Sequence, residues 1–320
     1  VLAAAAELGY VVSPSAQALA TGRTQTIALI VPSFSEWFSA NVLDGAQRRL
    51  QRAGYSTVVH SVENVRGKPP LDLDLELIRR RVDGVIIIAL PLSEGETQSV
   101  VDLSVPVVVV GNRNPPFPSI GLDDVETGRA ATGLLIELGH TVIGHISGSA
   151  QEVTPLTPGG GRLEGWHQAL EEAGLEHGPD LFAHSYFDVS GGRDAMLELI
   201  DRRPDVTAVF AAADCIAVGA IEALDERGLA VPDDVSVVGV DGEAEIGWRS
   251  LSTVVQRPDD QGRMAADALL RMINGGAVPD VTLVHGVLMP GRTTSVPHRA
   301  PGRSTTPGGR GAVGASDTKL

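Results

Sequence analysis

Residues 26–54 read TIALIVPSFSEWFSANVLDGAQRRLQRAG, and this stretch decides the fold. Thr26–Val31 is an unbroken apolar, β-branched run stopped by Pro32, the pattern of a strand covered on both faces. Phe38, Val42, Ala46 and Leu50 then recur at four-residue spacing along one face of a predicted helix, Phe38–Ala53, which Gly54 stops. An apolar strand followed by an amphipathic helix is half of a βαβ unit, the element from which parallel sheets are built.

Working outward, the cycle repeats. Strands are expected at Tyr55–Val62, Gly84–Leu90 and Pro106–Val110, separated by helices over Leu71–Arg81 and Glu96–Leu103. A second series starts at strand Ser119–Asp123 and helix Val125–Leu138. It continues with strand Val142–Ser147, helix Arg162–Ala173, strand Phe182–Phe187, helix Gly192–Arg202, strand Ala208–Ala212, helix Ile216–Arg227 and strand Val235–Val240. Thr253–Gln256, a helix over Asp259–Ile273 and a closing strand near Val281–Leu288 complete it. About ten such units exceed one open sheet, so the expected fold is α/β with two doubly wound lobes. A closed barrel is the alternative. The irregular spacing and the long loop Gly111–Pro118 between the two series argue against it.

The 320 residues are 43% apolar and 20% charged, with 25 basic against 40 acidic groups and a net charge of −15. The tail from His298 carries Arg299, Arg303, Arg310 and Lys319 against Asp317, so the rest of the chain is more acidic still. A general surface field of that sign repels a phosphate backbone, and any nucleic-acid contact needs a separate module. The single cysteine, Cys215, excludes an internal disulfide framework and suits a reducing compartment. The longest apolar runs, Val85–Leu90 and Val105–Val110, are too short to span a bilayer. The chain begins at Val1 in Ala-rich helical sequence without a signal-peptide pattern, which reads as a piece of something longer. Residues 298–320, rich in Gly, Ser, Thr and Pro, are expected to be a disordered tail.

In open parallel sheets, ligands bind beyond the carboxyl ends of the strands. Those ends carry Ser33, Phe34, Trp37 and Phe38, then Asn112 and Arg113, then Ser147, Ser149 and Arg162. Later ends carry Tyr186 and Phe187, then Asp214, then Asp241. Rings stack on the CH faces of a polyhydroxylated ligand and forked groups hold its vicinal hydroxyls, so the set fits a sugar-like molecule. The chain has only 6 Phe, 3 Trp and 3 Tyr, and five of these aromatics fall at two strand ends. The blander readings are that Trp37 and Phe38 are core at a helix start and that Asp241 caps a turn.

Catalytic patterns are poor. The eight histidines show no HExxH pair, there is no GxSxG elbow, and no GxxxxGK[ST] loop occurs. His140 falls just after the Gly139 helix stop, a structural position. The Gly159–Gly161 run ahead of Arg162 reads as a mobile loop rather than an anion site, and Cys215 as a small buried residue. No cofactor, metal or catalytic group is expected.

The residues nevertheless match a known family. AELGYVVSPSAQALATGRTQT, from Ala6 to Thr26, resembles the end of the DNA-binding domain and the hinge of lactose/galactose-repressor (LacI/GalR) family transcriptional regulators. The match continues through IALIVPSFSEWF, VDGVIIIA, VPVVVVGN, LIELGHTVIGHISG, RLEGWHQALEEAGL, AVFAAADCIAVGAIEAL, GLAVPDDVSVVGVDG and LSTVVQRPDDQGRMAADALL. It covers residues 1–296 in order.

That resemblance implies a type I periplasmic-binding-protein-like core, two doubly wound parallel-sheet lobes joined by three crossovers. The N-terminal lobe would be 26–122 with 256–285 and the C-terminal lobe 123–255 with 286–297. Residues 1–25 would be the remnant of a DNA-binding domain plus the hinge helix, in which Ser15, Gln17 and Leu19 face operator DNA and Leu19 wedges into the minor groove. Trp37 and Phe38 match the family's aromatic effector contacts, Arg162 its effector-gripping arginine, Tyr186 (or Phe187, one place on) a stacking ring, and Asp241 a hydroxyl-binding aspartate. Asn112, Arg113 and Asp214 complete the implied effector set. The usual Asn-Asp is Ala213-Asp214 here, a second aspartate is replaced by Gly242, and Gly111-Asn112 stands where Asp-Arg is common. Ser15 and Gln17 also depart from the usual hinge. These changes argue against a lactose-type specificity.

The function so implied is a cytoplasmic, homodimeric, effector-responsive repressor that binds a sugar or nucleoside-like molecule. It would reach operator DNA only through the full-length protein and have no membrane partner. An extracytoplasmic sugar receptor of the same fold and a sugar-handling enzyme are the competing readings.

Overall fold

The computed structural model describes residues 22–62, 75, 78–150, 153–243 and 251–298. The hinge residues Ser15, Gln17 and Leu19 and the tail from 299 onward lie outside this set.

Among the described residues, twelve strands form two six-stranded sheets. The first holds β1 (Thr26–Val31), β2 (Ser56–Ser61), β3 (Gly84–Ile88), β4 (Val107–Val110), β5 (Ser119–Leu122) and β11 (Val281–Val284), in the order β11-β5-β4-β3-β1-β2. All of its pairings are parallel. The second holds β6 (Ile143–Ser147), β7 (Phe182–His184), β8 (Ala208–Ala211), β9 (Ser236–Asp241), β10 (Ser252–Val255) and β12 (Val287–Met289), in the order β12-β10-β9-β8-β6-β7. Only β12 runs antiparallel. We call the two halves lobe 1 and lobe 2.

The helices are α1 (Trp37–Arg52), α2 (Glu94–Val101), α3 (Asp124–Glu137), α4 (Pro158–Glu172), α5 (Val189–Arg202), α6 (Asp214–Glu226) and α7 (Pro258–Ile273). Their starts follow local chemistry. Ser93 and Glu96 form a reciprocal capping box on α2, and the Asp123 side chain accepts the Glu126 N–H to open α3. The face of α1 expected from the sequence is buried at Val42, Ala46 and Leu50. β1, β3 and β4 are buried almost end to end, and each such Val, Leu or Ile contributes roughly 1.5–3 kcal/mol. Helices α1 and α7 lie backbone to backbone. A Cβ on Gly45 would collide with the Asp259 carbonyl, and one on Gly262 with that of Val42.

Three sequence expectations are corrected, and a fourth lies mostly outside the described residues. The Gly159–Gly161 run is the first turn of α4 rather than a loop, because Thr157 caps it through the Gly160 N–H and Pro158 fits its start. The strand expected to Phe187 stops at His184, since Asp188 N–H turns back onto the Tyr186 carbonyl. The closing strand is two strands broken at Gly286, one in each sheet. Of the helix expected over 71–81, only Leu75 and 78–81 are described, and 78–81 form a turn.

The chain passes between lobes three times, each time at the carboxyl end of a strand. β5 leads at Leu122 into α3, β10 leads at Val255 toward α7, and β11 leads at Val284 into β12. Three short crossovers at carboxyl ends hold the two carboxyl edges facing each other, and the ligand-binding ends of both sheets share one cleft.

Candidate functional site

Lobe 1 brings β1 and β4 to this cleft. Trp37 and Phe38 open α1 and are both half-buried. Phe38 packs on the lobe 1 core and over the backbone of Gly111, where a Cβ would stand 3.1 Å from the ring. Gly111 has φ +88, so the turn requires its glycine twice over. Trp37 belongs to no core cluster. Asn112 is buried, while Arg113 is exposed and its backbone N–H reaches the Leu156 carbonyl of lobe 2 at 2.8 Å.

Lobe 2 supplies the charged groups. Arg162, 4% exposed, donates from Nε to Asp124 at 2.9 Å and from Nη1 to the Ala212 carbonyl. Neither bond uses Nη2. Burial raises the Asp124 carboxyl even against the attraction of Arg162.

Asp241, at the end of β9, accepts the Gln256 side-chain amide at 2.6 Å and the backbone N–H of Asp214. Its φ of 130 is a strained conformation for a residue with a side chain, and such strain persists only where the surroundings impose it. Asp214 imposes it. One of its oxygens accepts the N–H groups of Gly242 and Glu243, and the other accepts the Thr253 hydroxyl at 2.7 Å. Asp214 is 1% exposed, and its bonds hold the loop that follows Asp241. Burial pushes the Asp241 carboxyl up to about 7, opposed by Arg162 and reinforced by Asp214. Burial likewise pushes Asp214 up to about 6, opposed by its bonds to Thr253, Glu243 and Gly242.

Of the two aromatic choices after β7, Phe187 packs on the lobe 2 core and Tyr186 stands 40% exposed. Cys215 lies beside both aspartates, and burial pushes its thiol upward, away from reactivity. His140 is bonded to Thr207, Ser236 and the Ser295 carbonyl, a structural pin for the end of the described chain. Among the described residues, no cluster of three or more His, Cys, Asp or Glu is arranged to hold a metal. No helix among them is long and apolar enough to cross a membrane.

A cavity of about 110 Å³ lies beside the crossovers, lined in part by Asn112, Arg113, Asp123, Asp124, Leu156 and Gly161. Trp37, Tyr186 and Asp241 are not in its wall. The set read from strand ends therefore divides. Asn112 and Arg113 share this cavity with Asp124, the partner of Arg162, while Asp214 and Asp241 form a second, mutually bonded group.

Sequence reading missed Asp124 and Gln256. The Asp123-Asp124 pair reads as a helix cap, yet only one of two adjacent carboxylates can cap, and the other is then left for Arg162. Gln256 closes an apolar strand, and a polar residue at that point was the available signal.

The periplasmic binding protein-like domain family matches residues 132–294. The HTH-type transcriptional regulator CelR of Thermobifida fusca is 35% identical over 294 residues, covering 87% of this chain and 83% of its own. The HTH-type transcriptional repressor PurR of Pasteurella multocida is 32% identical over 279 residues, covering 86% of this chain and 82% of its own. Among solved structures, a CelR–cellobiose complex superposes with a TM-score of 0.75 at 31% identity, over 91% of this chain and 88% of that one. The lac repressor dimer bound to operator and an anti-inducer gives 0.76 at 25% identity, over 89% and 99%. Sequence, fold and the polar groups at facing strand ends agree: the chain belongs to the LacI family of ligand-responsive transcriptional regulators.

Proposed function

We propose that this chain is the sensor of a cytoplasmic repressor whose effector is a sugar or related polyol held between the lobes. The observation that carries the reading is that Arg162, whose Nη2 makes no hydrogen bond among the described residues, and Asp241, held in a strained turn, stand at strand ends of lobe 2, and Trp37 at a strand end of lobe 1, on the carboxyl edges that face each other. A guanidinium donor, a carboxylate acceptor and a flat ring recognise vicinal hydroxyls and the CH face between them. The relative crystallised with cellobiose supports the same class. Tyr186, Asn112 and Arg113 complete the contact set, and Asp214 acts through Asp241.

The lobes divide at 122/123, 255/256 and 285/286. Two copies pair, and ligand shifts the lobe angle in both. Residues 1–25, with Ser15, Gln17 and Leu19 in the hinge, relay that angle to operator DNA. The relay works only to the extent that ligand binds one angle better than the other. No chemical step is part of this function.

A thermal-shift screen of cellobiose, glucose, ribose and hypoxanthine tests the effector class, because a ligand at a hundred times its Kd stabilises by about 2.7 kcal/mol. A sugar should raise the Tm of the wild type and raise that of Asp241→Asn by clearly less. A shift with hypoxanthine alone would replace the polyol by a nucleobase.

A further inference from the structure

Because the carboxyl edges of both sheets face the cleft, the amino edges are the two outer ends of the molecule. They carry opposite charge. At the outer end of lobe 1, the last helical turns and the residues leading into the strands hold Arg23, Arg52, Arg79, Arg80, Arg81 and Arg271. Arg49, also in the last turn of α1, is neutralised by Asp267 at 2.6 Å. Only Asp83, Asp102 and Asp280 oppose the six among the described residues. The equivalent stretches of lobe 2 are dominated by carboxylates, including Glu171, Glu172, Glu176, Asp180, Asp233 and Asp234.

The arginines also differ in commitment. In lobe 2, Arg203 is shared by Glu176, Asp180 and Asp205, and Arg227 is held by Asp201. In lobe 1, Arg52, Arg80, Arg81 and Arg271 are exposed and make no ion pair among the described residues. A chain of net charge −15 thus places four guanidiniums that make no ion pair among the described residues at one end. Residues 22–25 enter lobe 1 in their midst. Arg23 bonds the Ile273 carbonyl and the Asn274 side chain at the end of α7, and Asp83 accepts the N–H groups of Thr24 and Gln25. Strands β3, β1 and β2 are neighbours, so Arg80, Arg81 and Arg52 lie at strand starts spread over roughly 10 Å.

We propose that this arginine face is a second DNA contact, on which the outer end of lobe 1 rests against the phosphates of duplex DNA while the preceding segment holds the operator. The proposal rests on the repressor reading above. The face would supply sequence-independent affinity, and the acidic end of lobe 2 would repel DNA and orient the approach. Removing one arginine–phosphate pair lowers the slope of log K against log salt by about 0.9, and at 0.1 M salt it weakens binding by roughly five- to tenfold.

The test uses the protein expressed from its whole gene and two labelled 60-bp duplexes, one from immediately upstream of that gene and one of mixed sequence. The variants are Arg80→Gln/Arg81→Gln and Arg52→Gln/Arg271→Gln, with Arg202→Gln/Arg227→Gln removing the same charge from the far end. The first two should weaken binding to both duplexes by similar factors and flatten the salt dependence, with melting temperature unchanged. The far-end variant should match the wild type. Wild-type affinity and slope in both lobe 1 variants would overturn the arginine face and leave the repressor reading intact. Equal losses in all three would overturn it too, reducing it to net charge. A wild type that binds neither duplex at any salt would overturn both.

Discussion

The two lobes meet the cleft with different kinds of chemistry. Lobe 2 presents groups that are already fixed: Arg162 by Asp124 and the Ala212 carbonyl, Asp214 by three donors, and Asp241 by Gln256 and a strained turn. Lobe 1 presents Trp37, outside any core cluster, and Asn112, whose side chain makes no hydrogen bond among the described residues. Prearranged polar groups lose little entropy on binding and set specificity, whereas a ring that can settle on a ligand adds area and closure. Under the proposed reading this difference gives recognition to lobe 2 and closure to lobe 1, and it can be broken at either side.

The largest effect belongs to Arg162. Replacing it by Met leaves the buried Asp124 without its partner, and breaking a buried pair on one side costs about 3–5 kcal/mol. Urea unfolding should show that loss in the midpoint, together with loss of any effector-induced rise in Tm. If Arg162→Met unfolds like the wild type, lobe 2 is not prearranged in the sense argued above. Next comes Asp241→Asn, which keeps shape and removes charge. A hydrogen bond to a charged group is worth about 1.5–3 kcal/mol, so calorimetry should show effector affinity reduced by roughly ten- to a hundredfold. A smaller loss than that of Trp37→Ala would reverse the division of labour.

How far this was legible in the sequence also differs between the lobes' frames and their cleft. The βα cycle could be read because buried parallel strands such as VIII at 85–88 and VVVV at 107–110 have no polar face to confuse their period. The strand-end rule then located Arg162, Asp214 and Asp241. It could not distinguish their roles, because a side chain's partners come from other elements. Asp214 reads like a ligand contact until Thr253, which follows it by 39 residues, is seen to occupy it. Phe38 and Phe187 similarly look like stacking rings, yet both pack on their lobe's core. The break at Gly286 was hidden because residues 281–289 alternate in one register through both strands, although the two halves serve different sheets.

Trp37→Ala should have an intermediate effect. An aromatic contact contributes about 0.5–1.5 kcal/mol beyond its area, so effector affinity should fall roughly tenfold while stability without effector changes little. Loss of several kcal/mol of stability would instead make Trp37 a core residue of lobe 1, the bland reading of the same position.

A last effect separates the lobes without any ligand. Burial raises Asp241 to about 7 and Asp214 to about 6, against 3.8 for an ordinary aspartate. At these two groups the folded protein therefore keeps protons that the unfolded chain has released, and their contribution to stability declines as pH rises from about 4 to about 7. Above that range both states are ionised and the decline ends. Exposed carboxylates held low by arginine, such as Asp180 and Asp201, act in the opposite sense only nearer or below pH 4, whereas His140, His145 and His167, which burial holds below the usual imidazole range, act in the opposite sense as pH rises toward 6.5. From pH 5 to pH 8 the slope of Tm against pH carries the sum of these groups. Asp241→Asn should remove the declining part of that slope because its amide does not titrate, whereas Trp37→Ala should retain it. An unchanged slope in Asp241→Asn would mean that the buried carboxyls of lobe 2 are solvated as the protein stands, and its claim to a prearranged site would fall with them.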